Sequence, residues 1–237
     1  MTQLLYQSDS YRREFDATVT AVEPAGSRVA LDRTAFYPGG GGQPYDVGAL
    51  AFEGTTARVT QVKKEGDQVW HWLDGPLPAE PQAVAGMIDW ERRYQLMRTH
   101  TAMHILCGVV WSDYGAQVTG GNMDPGAGRM DFEFATMHSD LVADIEAKCN
   151  VEIAAARDVI VRILPRDEAF QIPDLIRTKI NLLPEGIPEV RTVEIVGLDL
   201  QADGGTHVAN TREVGRMRVT DYKSKGAINK RIYIEVG

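Results

Sequence analysis

Between residues 15 and 73, apolar and polar positions alternate in short runs: Ala17–Glu23 (ATVTAVE), Arg28–Asp32 (RVALD), Ala57–Lys64 (ARVTQVKK) and Gln68–Leu73 (QVWHWL). Turn-forming clusters, EPAGS, PGGGGQP and KKEGDQ, separate them. A period of two rich in β-branched residues predicts strands, and several short strands at close spacing predict a small barrel or sandwich. The segment Asp74–Gly86 (DGPLPAEPQAVAG), with three prolines, reads as the connection out of that unit. It sets a domain boundary between residues 75 and 88, dividing the chain into 1–85 and 86–237.

After Asp89, an N-cap residue, the period changes. WERRYQLMRTHTAMHILCGVVW holds no proline and no glycine before Gly108, and Leu96, Met103, Leu106 and Val110 recur at helical spacing. A second helix is predicted from Ser139 to about Arg157, where Leu141, Ile145, Cys149 and Ile153 repeat every four residues. Strand-like runs follow at Val159–Leu164, Val190–Leu200, Val214–Tyr222 and Lys230–Val236. Strands and helices without strict alternation predict an α+β fold. A small N-terminal barrel-like domain would precede an α+β domain with a mainly antiparallel sheet and one long helix.

Composition narrows the class. Of 237 residues 43% are hydrophobic, ample for a real core, and no repeat or low-complexity tract suggests disorder. The N-terminus lacks a basic start followed by an apolar stretch, and no apolar run nears the roughly 20 residues of a membrane helix, so a cytoplasmic, membrane-free protein is expected. Two cysteines, Cys107 and Cys149, are too few for a disulfide framework, and both fall in helical runs as buried thiols would. The net charge of −8 argues against indiscriminate nucleic-acid binding, yet Arg212–Arg231 carries a net +5.

His100 and His104 lie four apart on the first helix, one turn apart on the same face, where both can reach one metal ion. The spacing matches the metalloprotease H-E-x-x-H helix, but Thr101 stands where that chemistry needs a general-base glutamate. A third histidine, His207, follows a Gly-Gly turn in Gln201–Val208 (QADGGTHV), and Asp203 lies four positions before it on a bend able to converge two ligands. Three histidines plus a carboxylate would make a filled, harder site; three histidines plus water would leave it open. Cys107 is about 10 Å along the helix from His100, too far to share its ion. His71 and His138 have no such context and read as core-satisfied or exposed. The glycine run in Phe36–Asp46 (FYPGGGGQPYD) fits neither nucleotide-binding fingerprint, leaving a loop that needs positive φ or a substrate contact.

Together, RTHTAMH, GGTHVANTREVG, FYPGGGGQPYDVG and IDWERR closely resemble the freestanding alanyl-tRNA editing proteins, the AlaX family, related to the editing domain of alanyl-tRNA synthetase. The resemblance covers nearly the whole chain and is to the longer, two-domain form, with SKGAINKRIYIEV as its C-terminal ending. It implies a zinc-dependent hydrolase that removes the wrong amino acid, chiefly serine and often glycine, from misacylated alanine tRNA, with no obligate protein partner. It implies zinc at His100, His104 and His207, with Asp203 standing where the family usually has cysteine. It also implies a pocket role for Gln117, with Thr101 beside the metal helix face. Serine is larger than alanine, so such a pocket must recognise the hydroxyl, and Gln117, Thr101 or Thr206 could do so. Gly40, Gly41, Gly42 and Gln43 are the candidate substrate contacts of the glycine-rich motif. Two alternatives are a hydrolase of another specificity, such as threonine-tRNA editing, and a non-catalytic tRNA-binding module with a decayed metal site.

Overall fold

The computed structural model describes residues 1–177 and 186–237. By its internal contacts the chain forms two compact units, Met1–Gln95 and Leu96–Gly237.

The first unit is a closed six-stranded antiparallel barrel of β1 (Glu14–Glu23), β2 (Arg28–Leu31), β3 (Gly48–Phe52), β4 (Thr55–Glu65), β5 (Gln68–Asp74) and β6 (Ala83–Ile88), in the order β1-β2-β5-β4-β3-β6. Alternation does the work: Phe15, Ala17 and Val19 of β1 point inward beside Val29 and Leu31, Leu50, Val59 and Val62. The proline-rich segment Asp74–Gly86 is more than a connection. Its end, with Met87 and Ile88, forms β6, which pairs with both β1 and β3 and removes the sheet's free edges. Gly48–Phe52, with no strict alternation, also lay outside the sequence expectation.

The glycine run is a tight hairpin inside this unit. Gly40 and Gln43 exchange backbone hydrogen bonds of 3.0 and 2.9 Å, and Gly41 and Gly42 between them both have positive φ, 57° and 90°. A two-residue turn of that kind demands residues free of the Cβ penalty. Asp46 anchors its base by accepting from the Tyr37 amide (2.6 Å) and by pairing with Arg93. Arg93, fully buried, also donates to the carbonyls of Ser10 (3.0 Å) and Ala35 (2.6 Å). His71 is core-satisfied, between Thr34 Oγ1 (2.9 Å) and the Val29 carbonyl (3.4 Å), with burial pushing its pKa down to about 4.

Helix α1 (Trp90–Tyr114) starts at Asp89, whose Oδ1 accepts from the Arg92 amide at 3.2 Å, and stops where Gly115 takes φ 61°. In the second unit it is buried almost all round from Leu96 to Val110, as a central helix must be. An antiparallel sheet of β7 (Val118–Asp124), β8 (Ala127–Glu133), β12 (Met217–Ser224) and β13 (Asn229–Val236) runs in the order β12-β13-β8-β7. A second has β9 (Val159–Pro165), β10 (Glu189–Ile195) and β11 (Asp199–Ala202), in that order. The expected α+β class and antiparallel sheets are therefore present.

Two details differ from the sequence reading. Helix α2 (Ser139–Ala154) ends three residues early, because Ala156 turns the chain at φ 53° and frees Arg157 to pair with Glu152. The long run Val190–Leu200 is two strands folded back at Gly197 (φ 75°), with Ile195 opposite Asp199. His138 is the N-cap of α2, its Nδ1 accepting from the Leu141 amide at 3.3 Å. Among the described residues no helix is long and apolar enough to cross a membrane.

Candidate metal centre

The back-folding at Gly197 decides what faces α1. Gly108, one turn beyond His104, has no side chain, and a Cβ there would lie 2.9 Å from Leu198 Cγ and 3.2 Å from Asp199 Cβ. The close approach brings the Asp199 carboxylate to His104: Nδ1 donates to Asp199 Oδ2 across 3.0 Å, 95 positions apart in the chain. Strand β11 then delivers Asp203, and the Gly204-Gly205 turn delivers His207.

His100, His104, Asp203 and His207 converge, their ligand-type atoms all within 4.8 Å of one another. The ring centroids of His100 and His207 are 4.2 Å apart, those of His104 and His207 4.7 Å, and those of His100 and His104 5.1 Å. Asp203 lies 3.0 Å from His207 Nε2, 3.6 Å from His100 Nε2 and 4.0 Å from His104 Nε2. Donors held about 2.0–2.1 Å from a tetrahedral zinc ion are themselves about 3.3 Å apart. The observed spacings bracket that value.

The carboxylate is oriented. Asp203 Oδ2 accepts from the Gly205 amide at 2.7 Å and lies 3.7 Å from the Arg191 guanidinium, while the Oδ1 atom is the one nearest His100 and His104. The imidazoles are oriented too. His207 Nδ1 pairs with Thr101 Oγ1 (3.1 Å), which also accepts from the Val208 amide (3.3 Å), and His104 Nδ1 is taken by Asp199. In both rings the second nitrogen, Nε2, is left facing the cluster, which is how supporting hydrogen bonds set up metal-binding histidines.

Electrostatics agree with a donor set. Burial, with neighbouring imidazoles adding to it, holds the His100 pKa well below the ordinary value, and burial brings that of His207 to about 4 despite Asp203. Both are neutral imidazoles at neutral pH. Burial opposes charge on His104 as well, but the Asp199 hydrogen bond and charge outweigh it and raise its pKa. Burial would likewise raise the Asp203 pKa, yet the surrounding histidines hold it well below the carboxylate range. The chemistry of the set, three imidazole nitrogens and one carboxylate oxygen, fits a divalent transition metal.

The residues singled out from sequence distribute unevenly. Thr101 lies against the cluster, its hydroxyl committed to His207 and Val208. Thr206 is fully buried next to His207. Gln117 is exposed beyond α1, its carbonyl accepting from the Glu133 amide at 3.0 Å, and its side chain has no partner among the described residues. Gly40, Gly41, Gly42 and Gln43 belong to the barrel unit, with Gln43 buried. Cys107 stands outside the cluster; its Sγ accepts from Gln201 Nε2 at 3.3 Å, and burial pushes its pKa up to about 12.

Sequence reading missed the support of the site. Asp199 Oδ2 accepts from Gln201 Nε2 (2.7 Å) as well as from His104, and Asp199 Oδ1 lies 2.6 Å from Arg177. The signal for it was an aspartate between two leucines in Val196–Gln201 (VGLDLQ), a charge in a run patterned for burial.

Comparison with known proteins adds an independent line. Residues 8–92 match the family described as tRNA synthetases class II (A), and residues 190–233 match the threonyl and alanyl tRNA synthetase second additional domain. The chain is 40% identical over 240 residues to an alanyl-tRNA editing protein AlaX-M of Saccharolobus solfataricus, covering 100% of this chain and 99% of that protein. It is 38% identical over 239 residues to an alanyl-tRNA editing protein AlaX-M of Methanosarcina barkeri, covering 98% of each. An alanine–tRNA ligase of Ignicoccus hospitalis is 39% identical over 227 residues, 92% of this chain but 24% of the ligase.

Proposed function

We infer, from the fact that this chain belongs to the AlaX-M family of alanyl-tRNA editing proteins, that it hydrolyses the ester bond of misacylated alanine tRNA in trans, removing serine and also glycine. The observation that carries the reading to chemistry is the convergence of His100, His104, His207 and Asp203 within 4.8 Å. In this reading the four hold zinc, with Asp203 in the place the family usually gives to cysteine. Bound there, zinc supplies Lewis acidity, to polarise the ester carbonyl or to lower the pKa of a water.

The chain's own residues do the rest. Asp199 holds the proton on His104 Nδ1, and Thr101 fixes the ring of His207. Recognition of the serine hydroxyl is assigned to Thr206, buried beside His207, with Gln117, exposed beyond α1, as the second candidate. A buried polar group that alanine leaves unpaired rejects it far more strongly than size could. Gly40, Gly41, Gly42 and Gln43 contribute to the substrate side through the hairpin backbone, which approaches a ligand unshielded by side chains. Full-length relatives named for alanyl-tRNA favour alanine tRNA over the threonine species.

The test is deacylation of seryl-, glycyl- and alanyl-tRNA of the alanine species by the intact protein and by His104→Ala. Rapid loss of the seryl ester, slow loss of the alanyl ester and an inert variant are expected. A seryl ester that survives the intact protein at the uncatalysed rate would overturn the reading. Zinc content of protein purified without chelator checks the metal separately, with about one equivalent expected.

A further inference from the structure

The basic stretch Arg212–Arg231 is not one patch once its side chains are sorted by partner. Arg218 pairs with Glu235 (2.9 Å), Lys223 with Asp221 (2.9 Å), and Arg231 grips both oxygens of Asp131 (2.6 and 2.7 Å). Lys230 is buried and donates to the carbonyls of Gly226 (2.8 Å) and Ala227 (2.9 Å). Lys225 lies in the field of Asp131. Arg212 and Arg216 are left exposed, and neither guanidinium has a hydrogen-bond or ion-pair partner among the described residues.

Both line one cleft, of about 670 Å³, between α2 and the short turn Thr211–Val214. Its helix side carries one carboxylate, Glu146, against the two guanidinium groups, which leaves the lining at a net +1. Glu146 is turned to the Val219 amide (2.7 Å), and the Asn150 side chain spans the Met217 backbone, donating to its carbonyl (2.8 Å) and accepting from its amide (3.1 Å). Ala147 and Ala154 keep the floor shallow, and no aromatic ring lines it. Two free cations over a small-residue floor suit a phosphodiester, and the lack of a stacking surface means that no base would be read there.

The cleft is tied to the histidine cluster through the chain. Arg212 follows His207 by five positions, and Arg98, two before His100, donates to the carbonyls of Glu213 (2.9 Å) and Val214 (2.7 Å), the two residues between Arg212 and Gly215 of the cleft's lining. Resting on the editing function proposed above, we propose that the Arg212–Arg216 cleft holds the phosphate backbone of the tRNA acceptor end while the 3′ ester occupies the cluster. An acidic chain would thus bind RNA through one local seam of positive charge, without regard to sequence.

The test uses Arg212→Ala/Arg216→Ala in the full chain, with Arg212→Lys/Arg216→Lys as the charge-keeping counterpart. Binding of uncharged alanine tRNA is measured over a salt series, and deacylation of the seryl ester at steady state. The alanine pair should flatten the slope of log K against log salt by about 2, roughly one for each phosphate no longer neutralised. It should raise KM about tenfold with kcat held, and the lysine pair should restore most of both. Because both side chains are exposed and unpartnered, thermal unfolding should match the parent. An unchanged salt slope and KM overturns the cleft while leaving the editing reading intact. A parent that binds tRNA with the expected slope change but deacylates nothing overturns the editing reading and keeps the cleft as an RNA site.

Discussion

Asp46 in the barrel unit and Asp203 in the second unit are both carboxylates withdrawn from water, and they are neutralised in opposite ways. Asp46 is 1% exposed and meets a single fixed partner, the Arg93 guanidinium, with Nε 2.9 Å from one oxygen and 3.0 Å from the other, plus the Tyr37 amide. Arg93 spends its remaining donors on two carbonyls. That arrangement is complete, and its chemistry is structural: it pins the glycine hairpin. Asp203 has the Arg191 guanidinium 3.7 Å from Oδ2 and otherwise meets three imidazoles, two of which are neutral at neutral pH, so the cluster itself presents lone pairs. A half-buried carboxylate beside neutral donors is suited to receiving a cation. The difference separates a charge pair that stabilises a fold from a donor set with the chemistry to take up a cation.

The largest effect expected from breaking this contrast is on stability. Asp46→Ala leaves Arg93 buried and unpaired and should cost about 3–5 kcal/mol in denaturant unfolding, with zinc content unaltered. A loss under about 1 kcal/mol would show that Asp46 and Arg93 are not a structural pair. His104→Ala should act on the chemistry instead: deacylation of the seryl ester reduced about 10³-fold, near 4 kcal/mol of barrier. Asp199→Asn keeps the shape but loses the charge behind His104, so zinc affinity in chelator competition should fall about 10- to 100-fold. Affinity equal to the parent would reduce Asp199 to a packing residue. The smallest effect is Gly41→Ala. Its Cβ would meet nothing within 4 Å, so only the φ of 57° resists, costing about 1 kcal/mol. If deacylation drops by much more than that stability loss explains, the hairpin contacts substrate as well as closing a turn.

The parts legible in sequence were those carried by local periodicity. Barrel strands β1, β2, β4 and β5, helix α1 with its Asp89 cap, and strands β12 and β13 follow from alternation, helical spacing and capping chemistry. Strand β6 escaped because prolines precede it and its pairing partners, β1 and β3, lie far back in the chain. The fold-back at Gly197 escaped because Val190–Leu200 is apolar on both sides of the turn, and one glycine in such a run also suits a bulge. The metal candidates were visible as histidines at helical spacing and after a Gly-Gly turn. Their support by Asp199, Gln201 and Arg177 was not, since it depends on how closely Leu198 and Asp199 can approach Gly108.

That approach has a consequence for how the second unit comes apart. The bonds joining His104 to Asp199 and Thr101 to His207 link positions 95 and 106 residues apart. Each spans about a hundred residues, so the donor set exists only while both segments are folded together, and an ion that binds the folded cluster but not the unfolded chain stabilises the unit by its binding free energy. An ion shared by α1 and the Gly204-Gly205 turn would therefore act as a clasp as well as a reagent. Chelation should register as faster backbone hydrogen exchange along β10 and β11 and quicker cleavage by proteases, at temperatures where the metal-loaded protein is untouched.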